Sequence, residues 1–357
     1  MAPVVKAFKS DPAFDTVTCV TGQHRSMLDQ VLQLFDITPD IDLNIMKAQQ
    51  TLTDVTVATL AGLQPILADQ RPDAVLVHGD TSSAMAAAMA AFYEHIPIGH
   101  VEAGLRTGDL MAPWPEEMNR RYIDMVARWL FAPTETSAEA LRREAVLPER
   151  ITVTGNTVID SLLSVVRDFH ADDNTKAKLD AQFDFLDPSK RLIVVTGHRR
   201  ESFDGGIERM CQALSRLAER SDVEIIYPVH LNSNVQRATT AVLSDTAGVH
   251  LIEPQEYLPF VYLMDRAHLI ITDSGGIQEE APSLGKPVLV TREVTERPEA
   301  IAAGTCRLVG TDSDRIVDEA TALLDNDEEY RRVSSISNPY GDGNAAHRIM
   351  EVMKNAR

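Results

Sequence analysis

Leu269-Ile-Ile-Thr-Asp-Ser-Gly-Gly-Ile-Gln-Glu-Glu-Ala-Pro-Ser-Leu-Gly-Lys-Pro-Val-Leu-Val290 decides the fold. A short apolar and β-branched run, Leu269–Thr272, gives way to a turn with two glycines. A helical stretch, Ile277–Leu284, comes next, and then a second apolar run, Pro287–Val290. Neither run alternates with polar residues, which suits strands covered on both faces of a parallel sheet. Strand, turn, helix and strand in that order form the repeating unit of a doubly wound α/β fold.

The same unit recurs on either side. Toward the C-terminus the spacing predicts a strand at Arg307–Val309 and helices at Asp312–Leu324 and Asn344–Lys354. Toward the N-terminus it predicts strands at Val249–Ile252, Val223–Tyr227 and Leu192–Thr196, with helices at Val235–Leu243 and Gly206–Arg220 between them. A second series lies further upstream. Its strands are Thr16–Val20, Ala74–His78, Ile98–Val101, Trp129–Ala132 and Ile151–Thr154, and its helices are Ser26–Phe35, Thr51–Ala68, Ser82–Glu94 and Glu116–Ala127. Two such series imply two doubly wound, Rossmann-like domains. Residues 1–154 with 345–357 are expected to form the first and 155–344 the second, the last helix returning after the breaker run Asn338-Pro-Tyr-Gly-Asp-Gly343. Ligands in such folds bind beyond the carboxyl ends of strands, so a cleft with one domain on each side is the expected site.

A chain of 357 residues with 44% hydrophobic content is too long for one ordinary core and suits two. No apolar run reaches the roughly 18 residues of a membrane span, and no charged-then-apolar leader is visible. The three cysteines, Cys19, Cys211 and Cys306, are scattered, which fits a reduced cytoplasm and gives neither a disulfide frame nor a thiolate metal site. A net charge of −19 repels nucleic acid and anionic lipid, so any phosphate site must be a local positive concentration. There is no P-loop and no G-x-G-x-x-G after a strand, which leaves a nicotinamide cofactor without support.

Chemistry is expected where strands end. Ala74–His78 runs into Asp80, and Ile98–Val101 runs into Glu102. Glu116 and Glu117 open a helix, where either could simply complement the helix dipole. Leu192–Thr196 ends in Gly197-His-Arg-Arg-Glu201, and His198 beside Arg199 and Arg200 makes a natural anion site. His230 sits at the equivalent end of the next strand, where a lone histidine is more often structural. In the opening stretch, Gly275 and Gly276 let a ligand approach the backbone, and the helix start at Ser274 offers N–H donors to a phosphate. Glu280, further along, could accept two ribose hydroxyls, and Arg292 and Arg297 could add charge. These features read as a two-domain α/β enzyme with a nucleotide phosphate site in the second domain and several carboxylates in the first.

Six stretches together resemble one family. They are His78-Gly-Asp-Thr81, Gly99-His-Val-Glu-Ala-Gly-Leu-Arg-Thr107, Trp114-Pro-Glu-Glu117, Thr196-Gly-His-Arg-Arg-Glu201, Thr272-Asp-Ser-Gly-Gly-Ile-Gln-Glu-Glu-Ala-Pro282 and Asn338-Pro-Tyr-Gly-Asp-Gly343. In this order they resemble the bacterial, non-hydrolysing UDP-N-acetylglucosamine 2-epimerases. The resemblance implies a GT-B-like fold, a cytoplasmic homodimer, no metal and no cofactor. It implies interconversion of UDP-N-acetylglucosamine and UDP-N-acetylmannosamine for cell-envelope polysaccharide. It makes Asp80, Glu102, Glu116 and His198 the catalytic set and assigns UDP to Arg199, His230, Phe260, Ser274, Gly275, Gly276 and Glu280. Bacterial members also bind a second UDP-N-acetylglucosamine as an activator, for which Gln23, His24, Gln49 and Gln50 are the matching candidates. Members often carry arginine where Gln49 stands, a departure that weakens the expected activation.

The implied mechanism removes UDP from the anomeric carbon to give 2-acetamidoglucal and then adds it back. The runner-up is a GT-B glycosyltransferase, which shares the fold but does not need several carboxylates opposite the sugar. A hydrolysing epimerase and a UDP-binding form with little turnover are further alternatives. The family begins with a strand and a Gly-Thr-Arg-Pro-Glu loop that leads to a lysine just before Met-Ala-Pro. This chain starts on Met1-Ala-Pro3 with a helical stretch to Lys9. The expectation is therefore that Met1 is an internal methionine of the natural protein and that a version extended upstream is the more active.

Overall fold

The structure, a computed structural model, describes residues 1–23, 25–197 and 205–356. The chain divides into two compact units, Met1–Ser161 with Tyr340–Arg357 and Leu162–Pro339.

The first unit contains strands β1 (Cys19–Val20), β2 (Ile41–Asp42), β3 (Val75–His78), β4 (Ile98–Val101), β5 (Trp129–Ala132) and β6 (Ile151–Val153). The last four form a parallel sheet in sequence order, and β1 and β2 pair as a separate parallel ribbon. β4 is buried along its whole length, His100 included. A Cβ at Gly99 within it would lie 2.4 Å from Leu76 Cδ2, so Leu76 would have to shift to make room. Helix Leu52–Gln70 starts on a reciprocal capping box between Thr51 and Asp54, and helix Ser82–Tyr93 starts on the Thr81 hydroxyl.

The strand predicted at Thr16–Val20 shrinks to Cys19–Val20. Val17 in that run is about half exposed, so the apolar pattern finds no second sheet face to cover it. Helix Ala2–Ser10 buries Val4 and Phe8 against Ile349, Met350 and Met353 of helix Ala345–Asn355, on Val101 and Phe131 of the sheet. The Asp160 carboxylate accepts N–H bonds from Ala345 and Ala346 at 3.2 and 2.8 Å and so caps the start of that last helix.

The second unit holds β7 (Arg191–Thr196), β8 (Val223–Pro228), β9 (Val249–Ile252), β10 (Leu269–Thr272), β11 (Val288–Val290) and β12 (Cys306–Leu308). All are parallel, in the order β12-β11-β10-β7-β8-β9. The chain winds outward from β7 through β8 to β9, then crosses and winds the other way from β10. The winding therefore reverses where β7 meets β10, and a doubly wound sheet opens its ligand crevice at such a reversal. At that point the Thr196 and Thr272 hydroxyls bond each other at 2.6 Å. The polar stretch at residues 171–190, ahead of β7, carries helix Asp173–Gln182. Only Leu179 of this helix is buried, too little apolar periodicity to be recognised. Among the described residues no helix is long and apolar enough to cross a membrane.

Candidate active site

The first unit brings its three candidate acids together. Gly79, at the end of β3, has φ +68°, and Glu102, at the end of β4, has φ +70°. A glutamate in the left-handed region costs about 1–3 kcal/mol, and such strain persists where surrounding contacts over-determine it. Those contacts are visible. The N–H groups of Glu102 and Ala103 both donate to the Phe131 carbonyl at 3.1 Å, which curls the chain off β4. The Glu102 carboxylate then lies 3.3 Å from His78 Nε2 and accepts a bond from Asn156 Nδ2 at 3.2 Å. It also lies over Gly79, where a Cβ would sit 3.4 Å from Glu102 Oε2.

Asp80 is the next residue. Its Oδ2 is 2.6 Å from Arg120 Nη2, and its backbone carbonyl accepts from Asn119 Nδ2 at 2.8 Å. Burial pushes the Asp80 carboxyl above its ordinary range. Arg120 pulls it down but does not offset the burial, and the negative charges of Glu102 and Glu116 add to the rise.

Helix Glu116–Val126 separates two adjacent glutamates into different roles. Glu116, at its first position, is one of the charges acting on Asp80. Glu117 is fully buried and accepts from Thr107 N, Gly108 N and Arg121 Nε at 3.1, 3.4 and 2.9 Å, with Arg120 3.4 Å away. Burial alone would raise its carboxyl, but these donors more than offset that and hold it below the ordinary range. Glu117 is a structural anion that ties down the loop ahead of the helix.

In the second unit the opening stretch folds as expected at its start. Ser274 stands at the N-cap position of helix Gly275–Glu280 without a side-chain capping bond, and the helix tightens into a 3-10 turn at Ala281–Leu284 rather than continuing as the helix predicted to Leu284. Pro282 supplies the reason, since it has no N–H to continue the ladder. The Arg297 guanidinium lies 3.6 Å from where a Gly275 side chain would project and is paired with Glu279. Arg292 is buried, 3.8 Å from Glu296. Glu280 is buried and accepts from the Tyr257 hydroxyl at 2.6 Å. Burial pushes its carboxyl from 4.5 up to about 7; Tyr257 lowers it and Glu279 raises it. Phe260 lies one turn beyond Tyr257 on helix Tyr257–Arg266, partly buried. His230 is exposed, and its Nδ1 accepts from Asn232 N at 3.1 Å.

Of the activator candidates, Gln23 accepts a 2.5 Å bond from the Ser83 hydroxyl, three residues beyond Asp80. Gln49 is exposed with φ +59°, and Gln50 donates to the Ile45 carbonyl at 2.6 Å. His24, His198 and Arg199 lie outside the described residues. Sequence reasoning passed over His78, Asn119, Arg120 and Asn156. The signal for Arg120 was its place four residues after Glu116, on the same helix face.

Similarity to known proteins meets this geometry. The family model for UDP-N-acetylglucosamine 2-epimerase matches residues 6–354. The UDP-N-acetylglucosamine 2-epimerase of Escherichia coli is 58% identical over 358 residues, spanning 100% of this chain and 95% of that protein. A crystal structure of UDP-GlcNAc 2-epimerase from Neisseria meningitidis bound to UDP-GlcNAc superposes with a TM-score of 0.89 at 47% identity, covering 99% of this chain and 96% of that one. The Methanocaldococcus jannaschii enzyme in complex with UDP-GlcNAc and UDP gives 0.78 at 29% identity, covering 99% and 95%. These neighbours place the two Rossmann-like units in the GT-B-like class. With sequence and fold in agreement, the chain belongs to the UDP-N-acetylglucosamine 2-epimerase family of isomerases.

Proposed function

We propose that the protein interconverts UDP-N-acetylglucosamine and UDP-N-acetylmannosamine without hydrolysis, by elimination of UDP to 2-acetamidoglucal and re-addition. The observation that carries this reading is the gathering of Asp80, Glu102 and Glu116, with the Asp80 carboxyl raised by burial and by the other two. Inverting C2 means taking a proton from one face and returning one to the other. That proton is poorly acidic until loss of UDP builds positive character at the neighbouring anomeric carbon. Acids at two positions serve opposite faces better than one, and a raised carboxyl holds its proton more readily than an ordinary one.

The second unit holds the leaving UDP so that it stays for re-addition. Ser274, Gly275 and Gly276 offer backbone donors to the phosphates, Glu280 takes the ribose, and Phe260 and His230 flank it. His198 and Arg199 stabilise charge on the departing pyrophosphate. A second UDP-N-acetylglucosamine acts as activator near Gln23, His24, Gln49 and Gln50. The protein works as a cytoplasmic homodimer that supplies cell-envelope polysaccharide synthesis. In favour of the dimer, Tyr93 is 66% and Met125 67% exposed on neighbouring helices, and apolar surface of this kind is usually covered.

The test is incubation with UDP-N-acetylglucosamine in heavy water. UDP-N-acetylmannosamine carrying deuterium at C2 is the expected product. Product without that label, or free N-acetylmannosamine, would overturn the reading.

A further inference from the structure

His100 and Asp124 form a buried pair with a hold on both acid-bearing turns. His100 is the third residue of β4 and is fully buried. Its Nε2 lies 2.9 Å from the Gly79 carbonyl, and because a carbonyl only accepts, Nε2 carries a hydrogen and donates. Its Nδ1 lies 2.6 Å from Asp124 Oδ1, so one further proton is shared between ring and carboxylate. The other Asp124 oxygen accepts from Gly104 N at 3.2 Å and pairs with Arg106 Nη1 at 2.8 Å. Arg106 is held in turn by Glu144 at 2.7 Å.

Gly79 immediately precedes Asp80, and Gly104 is two residues past Glu102. The pair thus ties the Asp80 turn to the Glu102 turn through one ring and one carboxylate. Sheet packing alone does not call for it, since the neighbours of His100 on β4 include Ile98 and Val101, both buried. A charge-bearing pair at such a site is costly unless every polar atom is matched, and here each oxygen and each ring nitrogen has a partner. Both turns depend on left-handed residues, Gly79, Glu102 and Gly104, a conformation that needs outside support.

We propose that His100 and Asp124 are positioning residues that set the aim of Asp80 and Glu102 toward the reacting carbon. This rests on the reading of Asp80 and Glu102 as the proton-transfer acids. A displacement of about 1 Å in a proton donor or acceptor costs on the order of 100-fold in rate. Releasing either turn is therefore a loss in kcat, while nucleotide affinity, which resides in the second unit, stays.

The experiment compares His100→Asn, His100→Gln and Asp124→Asn with Asp80→Asn and Glu102→Gln. It measures kcat, KM, UDP affinity by calorimetry and thermal melting. His100→Asn keeps a donor for Asp124 but does not reach the Gly79 carbonyl, whereas His100→Gln reaches that carbonyl. We expect kcat to fall about 10- to 100-fold in His100→Asn and Asp124→Asn, with KM and UDP affinity within about twofold of the parent and His100→Gln partly restoring kcat. If kcat per folded molecule in His100→Asn and Asp124→Asn stays within about threefold of the parent, or the loss falls in KM, the pair only stabilises the fold and the proposal is overturned. If His100→Asn fails to fold, Asp124→Asn, which is isosteric, decides. If Asp80→Asn and Glu102→Gln are themselves fully active, the assignment of the acids fails instead.

Discussion

Uridine binding to the second unit is expected to switch on as pH rises through neutrality. Glu280, proposed to take the ribose, must be ionised to accept two hydroxyls. Its burial holds the carboxyl at about 7 in the folded protein against an ordinary 4.5. If only the carboxylate binds, apparent affinity follows the ionised fraction. Between pH 8 and pH 5 that fraction falls from about nine-tenths to about one-hundredth, so Kd rises about 90-fold, or about 2.7 kcal/mol. Uridine is the better probe than UDP, whose terminal phosphate titrates near pH 6. Isothermal calorimetry at pH 6 in buffers of different ionisation heat should show release of about 0.9 proton per uridine bound.

Glu280→Gln should bind weakly at every pH, with no slope and no proton release. The same shift carries a stability cost. A folded carboxyl raised above its unfolded value binds its proton more tightly in the native state. Stability is therefore fully present below 4.5 and is lost as pH rises to about 7. The loss amounts to about 3 kcal/mol. Glu280→Gln should accordingly exceed the parent in stability at pH 8 and not at pH 4. A uridine Kd that is flat from pH 5 to 8, or equally sloped in Glu280→Gln, would refute the ribose assignment.

Asp80→Asn and Glu102→Gln should each lower turnover by about 100-fold or more in a coupled epimerase assay while UDP titration calorimetry stays near the parent. Gly104→Ala combines φ +86° with a Cβ 2.4 Å from the Ser137 carbonyl oxygen. It should lose about 3 kcal/mol or more in denaturant unfolding, and a loss under about 1 kcal/mol would mean the turn can relax. If the proposed dimer buries the face that carries Tyr93, Tyr93→Glu should shift the mass seen by light scattering from dimer toward monomer, and an unchanged dimer would place the interface elsewhere.

The central strands of the second unit were legible because a strand covered on both faces carries an unbroken apolar run, as Leu269–Thr272 and Val288–Val290 do. Asp80 and Glu102 were legible for a related reason, since the end of a parallel strand is where the fold leaves side chains available. Strand order was not legible. The reversal between β7 and β10 depends on pairings far apart in sequence, and no local pattern reports it. The division between Glu116 and Glu117 was also hidden. Adjacent helical residues point about 100° apart, so which one turns inward depends on the face the helix presents. Part of the answer was in the sequence all the same. Glu116, Arg120 and Asp124 repeat at a spacing of four, a polar stripe running into the protein beside the buried Ile123. Read as an inward face, that stripe would have pointed to Arg120 and Asp124. The left-handed backbone of Glu102 has no sequence signal, because glutamate is a residue no turn rule favours there.

A chain with a net charge of −19 that gathers three carboxylates around one site must control their repulsion, and helix Glu116–Val126 does so unequally. Arg120 touches both Asp80 and Glu117, yet the two carboxyls move in opposite directions. Glu117 also collects two backbone N–H groups and Arg121, so it remains an anion whatever happens nearby. Asp80 pairs with the Arg120 guanidinium and faces Glu102 and Glu116, and burial with those two charges raises its carboxyl. Environments that push neighbouring carboxyls apart mark which one does acid–base work. By that criterion Glu117 is scaffold, and Asp80 fits the proposed proton exchange better. Glu102 differs again, since its hold on His78 and Asn156 comes at the cost of a strained backbone. A fold that tolerates such strain at one residue, while burying a matched His100–Asp124 pair behind it, gives up stability for the placement of that carboxylate. Placement of this kind is what the proposed two-faced proton transfer at a single carbon requires.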